Sequence, residues 1–459
     1  MKRFSIQTFL LLGLLVAFSA CKKDFSPLDE QGPSEGFADA AKGKRPNVLI
    51  IFLDDVGYEV PSYTGGQSYP TPNVDRLAAG GKQFTQCHSS PMCSPSRFAI
   101  LTGKYNFRNY TYWAKMDPNE KTIGNLMSDA GYATYYTGKW QLDGGDNSIR
   151  NFGFQQYSVW YPFTLPGREA EEGNRYKSSK IYEAGNYIPS ELTKDVYTED
   201  YFTAKLLRYI DSCQSIKQPF FALYSMILCH KPFVPTPDDP EYNLWDFNKS
   251  DSRFFPSMVK YMDKKVGQIM DHLDSTKALK NTVVIFLADN GTSSDIKSQW
   301  NNILVKGGKQ ETNEPGTNVP MIVSFNGKVK PGSVSHDLID FTDFLPTLAD
   351  IAGVRTPKNW GTLDGRSFAK SIIGTNKKSR STIYDAFSSN NGGNIRPFVR
   401  WTQDTSYKLY DTSVTESKFK FVKIEKGKPD SKPIDADKMT PEEQAKFVQF
   451  MQILRSYNP

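Results

Sequence analysis

Apolar positions along this chain follow two rhythms. Continuous β-branched or aromatic runs occupy Asn47–Leu53, Phe220–Leu228 and Thr282–Ala288, with a shorter one at Ala133–Thr137. Runs of this kind, without polar alternation, are the pattern of strands covered on both faces. Between them the period lengthens to that of helices, over Thr122–Ala130, Tyr197–Ser212, Arg253–Leu279 and Leu338–Ala352. In the longest, Met258, Met262, Val266, Ile269 and Leu273 recur along one side. Strands alternating with helices predict an α/β fold, a large and mostly parallel sheet sandwiched by helices.

From about residue 380 the rhythm changes. Short segments at Phe398–Thr402, Tyr407–Tyr410 and Lys418–Val422 precede a polar helix over Pro441–Ser456, with Thr440 as its cap. The expectation is a catalytic domain over residues 46–379 and a smaller C-terminal subdomain, 380–459, built on an antiparallel sheet.

The N-terminus reads differently again. Lys2 and Arg3 precede an apolar stretch from Phe9 to Phe18 that ends at Ser19-Ala20-Cys21, the layout of a secretory signal. Cys21 after small residues looks like a bacterial lipoprotein site, acylated to become the mature N-terminus. Phe18 stands where such sites usually carry Leu, so a plain cleaved signal stays open. Residues 22–45, rich in Lys, Asp, Ser, Gly and Pro, read as a flexible tether. The expected location is the periplasm or the outer membrane, with the lipid as the one membrane contact.

Composition narrows the partners. The formal charge is +6 over 459 residues, two units of it from Lys2 and Arg3, and no basic run is dense enough to imply nucleic acid.

Chemistry concentrates where strands end. The Asn47–Leu53 run leads into Asp54-Asp55, and the Thr282–Ala288 run into Asp289-Asn290. These four side chains offer only oxygen ligands, which suits Ca²⁺ or Mg²⁺ rather than zinc or copper. The other two strand-like runs end near Lys139 and His230, and open α/β sheets bind ligands at the carboxyl edge. Cys93 opens Cys93-Ser94-Pro95-Ser96-Arg97, followed by Leu101-Thr102-Gly103. With Ser94 as N-cap and Pro95 at the first helical position, a helix should start just after Cys93. Arg97 would share a face with the thiol, making an anion site beside a nucleophile.

That segment resembles the signature of the formylglycine-dependent sulfatases, Cys-X-Pro-Ser-Arg-X-X-X-Leu-Thr-Gly, within the alkaline phosphatase-like superfamily. Asn47-Val48-Leu49-Ile50 through Asp54-Asp55-Val56-Gly57-Tyr58 and Ala288-Asp289-Asn290-Gly291 resemble the family's two metal segments. Thr71-Pro72-Asn73-Val74-Asp75-Arg76-Leu77, Gly138-Lys139-Trp140, Cys229-His230-Lys231-Pro232 and Gly307-Gly308-Lys309 are similar to further family segments. The resemblance implies hydrolysis of sulfate esters, with sulfated saccharides such as polysaccharide or glycosaminoglycan fragments as the expected substrates. It implies a maturation enzyme that converts Cys93 to formylglycine, and a divalent cation held by Asp54, Asp55, Asp289, Asn290 and residue 93. Arg97 and Lys139 would contact the sulfate, and His230 with Lys309 would protonate the departing alcohol.

Two departures stand out. Gln141 occupies the place of a histidine that helps release sulfate, and a neutral amide cannot take a proton. Glu314-Pro315-Gly316-Thr317-Asn318-Val319-Pro320 lacks the family's Arg and one Gly. His88 is a conceivable replacement base, but an ordinary structural histidine is the stronger expectation. Gln141 would still line the substrate pocket. A phosphomonoester or phosphonate ester hydrolase, and a non-catalytic binder of sulfated glycans, remain as alternatives. Tyr110, Tyr112 and Trp113, and Trp160 with Tyr161, could stack on sugars or simply pack. With Cys21 and Cys93 set aside, Cys87, Cys213 and Cys229 allow at most one internal disulfide.

Overall fold

A computed structural model describes residues 45–457 except 111, 161, 163–173, 375–379, 389–397 and 413–418. The expected signal segment with Cys21, the tether up to residue 44, and Tyr161 lie outside the described residues. Ten strands form one sheet, numbered in chain order together with β9 (Lys297–Trp300) and β10 (Ile303–Lys306), which make a separate antiparallel pair. Across it run β12 (Ser333–Asp340), β2 (Lys82–His88), β11 (Asn318–Ser324), β8 (Thr282–Ala288) and β1 (Asn47–Leu53), then β7 (Phe220–Ser225), β3 (Ala133–Lys139), β4 (Gln156–Trp160), β5 (Tyr182–Glu183) and β6 (Asn186–Tyr187).

The block β8-β1-β7-β3-β4 is parallel throughout. Strand β11 runs antiparallel to both neighbours. Every residue of β1 and of β8 is buried, which is why neither run alternates polar with apolar. Helices α1 (Cys93–Thr102), α2 (Ile123–Asp129), α3 (Thr198–Ser215), α4 (Phe255–Ser275) and α5 (Phe344–Ala352) flank the sheet. The predicted stripe Met258, Met262, Val266, Ile269 and Leu273 is the buried face of α4. Thr122 starts α2 with a capping box, its hydroxyl accepting from Gly124 N–H.

The C-terminal sheet is β13 (Ile383–Phe387), β14 (Val399–Gln403), β15 (Tyr407–Asp411) and β16 (Phe419–Lys423), antiparallel at every pairing. Helix α6 (Pro441–Ser456) packs on it, started by a Thr440–Glu443 capping box. Met92 packs with Phe387, Trp401, Tyr410 and Val422, and the Ser90 hydroxyl donates to Asp385 at 2.8 Å. The small sheet therefore braces the residue just before Cys93.

The structure corrects the sequence reading at several boundaries. Leu338–Asp340 belongs to β12, paired in parallel with β2, and not to a helix. Asp340 accepts from Thr342 N–H, and this cap marks where helical structure begins. Strands β2, β4, β11 and β13 were not anticipated. Cys87, Cys213 and Cys229 are buried free thiols, so the possible disulfide does not form among them. No helix among the described residues is long and apolar enough to cross a membrane.

Gly138 shows how tightly β3 meets β7. Its φ is +99°, and a Cβ there would sit 1.9 Å from the Ser225 carbonyl oxygen. Gly138→Ala is expected to cost about 2–4 kcal/mol of stability, read as a lowered urea midpoint.

Candidate active site

The four central parallel strands end at one place. Consecutive strand residues normally point to opposite faces, yet the Asp54 and Asp55 carboxylates share a cluster with His230. The left-handed backbone of Asp55, φ 61°, breaks the alternation and turns both acids into the same pocket. Asp54 is pinned by its backbone, its N–H donating to Leu228 O at 2.9 Å and its carbonyl accepting from Cys229 N–H at 2.7 Å. From β8, Asp289 accepts Asp55 N–H at 3.1 Å, and the Asn290 amide donates to Asp55 at 2.8 Å.

Helix α1 points its first residue into this pocket. It begins at Cys93, with Met92 at the N-cap, two residues earlier than the Ser94–Pro95 reading placed it. Ser94 is already helical, and its buried hydroxyl has no hydrogen-bond partner. The Cys93 thiol donates to the Gln141 amide oxygen at 3.1 Å, and its sulfur groups with the Asp54 and Asp289 carboxylates within 4.8 Å.

Cations answer the acids. Arg97, one turn along α1, donates to Asp289 at 2.8 Å, to Lys139 O at 3.3 Å and to the Ser225 hydroxyl, with its guanidinium 5.0 Å from the Phe52 ring centroid. Lys139 Nζ lies 2.7 Å from Asp54, and Lys309 Nζ lies 2.7 Å from Asp55. His230 Nε2 is 3.7 Å from Asp55, while Nδ1 faces the Lys231 carbonyl oxygen. All the residues anticipated for the site are thus together. Arg175 was not anticipated: it binds Asp54 at 3.0 Å from an irregular stretch that carries no motif.

Burial would raise the Asp54 carboxyl, but Lys139, Arg97 and Arg175 hold it well below the usual carboxylate range. Burial and the Asp54 charge together push Asp289 up to about 7. His230 is depressed by burial and then by Arg175 and Lys309, so its imidazole is neutral at pH 7. Lys309, despite burial, is kept protonated by Asp55.

The donor set fits a hard divalent cation. Asp54 Oδ1 and Asn290 Oδ1 are buried oxygens without a hydrogen-bond partner, set among three carboxylates.

Other candidates lie elsewhere. His88 is buried, depressed to about 3 chiefly by that burial, and lines a small cavity with Ser90, Asp385 and Trp401. It is the structural histidine expected of it. Tyr110 is core, packed on Phe98 at 5.0 Å, whereas Tyr112 is about half exposed. Trp160 is buried, with the Arg175 guanidinium 4.5 Å from its ring centroid.

A carboxylate cage facing a helix-borne side chain, ringed by cations on an α/β sheet edge, defines a hydrolase of anionic esters with an alkaline phosphatase-like fold. The chain belongs to the sulfatase family, whose profile matches residues 46–354, and a profile described as N-sulphoglucosamine sulphohydrolase, C-terminal, matches residues 308–456. It is an enzyme of sulfate-ester hydrolysis. It is 29% identical to human arylsulfatase A over 374 residues, covering 76% of this chain and 71% of that one. An N-acetylgalactosamine-6-O-sulfatase of Bacteroides thetaiotaomicron is 27% identical over 413 residues, covering 74% and 79%.

Among solved structures, Ps i-CgsB in complex with k-i-k-neocarrahexaose superposes with a TM-score of 0.71 at 22% identity, covering 90% of this chain and 93% of that one. A protein in complex with its substrate D-glucosamine-2-N,6-O-disulfate gives 0.69 at 20%, covering 90% and 97%. The phosphonate monoester hydrolase of Agrobacterium radiobacter gives 0.62 at 19%, covering 90% and 95%. At these identities the superpositions establish the shared fold.

Calcium is expected to raise the thermal midpoint, by about 2.7 kcal/mol of added stability at one hundred times its Kd. In Asp54→Asn the shift should largely vanish. Differential scanning calorimetry with and without a chelator checks both.

Proposed function

We propose that the enzyme removes sulfate from sulfated saccharides of the polysaccharide or glycosaminoglycan kind, using formylglycine made from Cys93 and a bound Ca²⁺, with Mg²⁺ as the other hard cation that fits. The observation that carries the reading is the meeting of residue 93 with Asp54 and Asp289 within 4.8 Å, beside Arg97, Lys139 and Lys309. Relatives that act on sulfated sugars support the substrate class.

Asp54, Asp55, Asp289, Asn290 and residue 93 would hold the cation. When bound, the cation would supply polarisation of a sulfate oxygen, and a hydrated formylglycine at position 93 would supply the oxygen nucleophile. Arg97, fixed by three partners, and Lys139 neutralise charge on the non-bridging oxygens. As the S–O bond to the alcohol breaks, Lys309, kept protonated by Asp55, stands to deliver the proton that makes R–OH, with His230 beside it on the Asp55 side to orient the leaving oxygen. Gln141, bonded to Cys93 at 3.1 Å, orients residue 93 through its amide oxygen but takes no proton. The proton lost on sulfate release therefore goes to a group other than residue 141.

We also assign residues 1–21 as a signal with Cys21 as its lipid-bearing residue, 22–45 as a tether, 46–379 as the catalytic domain and 380–459 as the C-terminal subdomain. The enzyme would then work in the periplasm or from the outer membrane, after a maturation enzyme has acted on Cys93. The phosphonate monoester hydrolase likeness keeps phosphorus in view as a second reading, since one fold serves both.

Mass spectrometry of the peptide containing residue 93 should show an aldehyde in place of the thiol. Cys93→Ala should keep the fold and lose at least about 10³-fold in kcat/KM, and retained activity would place the nucleophile elsewhere. On matched aryl esters, the wild type should turn over sulfate faster than phosphate. The reverse ranking would replace the sulfatase assignment with the phosphorus one.

A further inference from the structure

We propose that Arg175 is a further substrate-binding residue, whose guanidinium holds the sulfate group of the ester beside Lys139. The inference rests on the sulfatase reading and deepens it.

The charges in the pocket balance without Arg175. Asp54, Asp55 and Asp289 are matched one for one by Arg97, Lys139 and Lys309. With a divalent cation bound, the three acids carry a single uncompensated charge, which those cations already exceed. Arg175 is a surplus positive charge in either state. A surplus cation kept in a largely desolvated pocket has an anion as its natural partner.

Its placement fits that role. Nη1 lies 3.0 Å from the same Asp54 oxygen that Lys139 holds at 2.7 Å, so the two cations flank one spot. The Arg175 side chain is 10% exposed, against 0% for Lys139, so it is the less enclosed of the two. Two features fix it there. The guanidinium lies over the Trp160 ring at 4.5 Å. The next residue, Tyr176, is fully buried and donates its hydroxyl to Ile227 O at 2.8 Å and to His230 O, tying the segment to the strand end that carries His230. A planar fork held this way matches two sulfate oxygens, which an ammonium cannot do.

The test uses the full chain with unmodified Cys93, made without the maturation enzyme, so that binding is read without turnover. Titration calorimetry with 4-nitrophenyl sulfate at saturating Ca²⁺ should show Arg175→Ala binding about 10- to 100-fold more weakly than wild type. Arg175→Lys should recover part of the loss, and the affinity for Ca²⁺ alone should stay close to wild type in both. Arg175→Gln, which keeps hydrogen-bond donors on a shorter side chain without charge, serves where the alanine variant fails to fold. Unchanged aryl sulfate affinity, or a loss of Ca²⁺ affinity that accounts for the whole effect, would overturn the assignment and leave Arg175 as a counter-ion to Asp54. Turnover by the matured wild type on the same ester decides the parent reading separately. A matured enzyme that cleaves aryl phosphate but not aryl sulfate would sink that reading, while the affinity comparison still judges Arg175.

Discussion

Three carboxylates with almost no access to water cannot share a pocket unless positive charge is brought to them. Asp54, Asp55 and Asp289 are each at most 1% exposed, and removing such groups from water is costly for every one left unpaired. The positions of Arg97, Lys139 and Lys309 follow from that constraint. So does the electrostatic asymmetry, in which Asp54 is held strongly ionised while Asp289 rises to about 7 under burial and its neighbour's charge. A divalent cation relieves the same repulsion, and it would release the ammonium and guanidinium groups to face a substrate.

Much of this was legible in the sequence because the residues concerned sit at the ends of continuous apolar runs. Asn47–Leu53 and Thr282–Ala288 match β1 and β8 residue for residue, since strands covered on both faces announce themselves by composition. Helix α6 begins where Thr440 and Glu443 place it, because a capping box is a local device that needs no tertiary context. The Cys93–Gly103 segment carried the site by its side chains rather than by periodicity.

What escaped the sequence was decided by contacts distant along the chain. Strands β2, β4 and β13 mix polar with apolar positions, and pairing with neighbours fixes them rather than any internal pattern, while Pro320 interrupts the apolar run of β11. Leu338–Asp340 reads equally as the start of a helix or the end of a strand, and β2 resolves it. Arg175 shows the limit most clearly. An arginine in an irregular segment has no periodicity or motif around it, and only the fold brings it 121 residues back to Asp54. The small C-terminal sheet was foreseen as a separate unit, but not that Met92 would lean on Trp401 and so set where α1 begins.

The depth of Cys93 has a consequence for the order of events in biosynthesis. The side chain is 3% exposed, wrapped by its own helix and the strand ends around it. No second enzyme can close its own active site around a residue so enclosed in a finished fold. Under the proposed reading, an enzyme that converts Cys93 would have to reach it before this part of the fold closes.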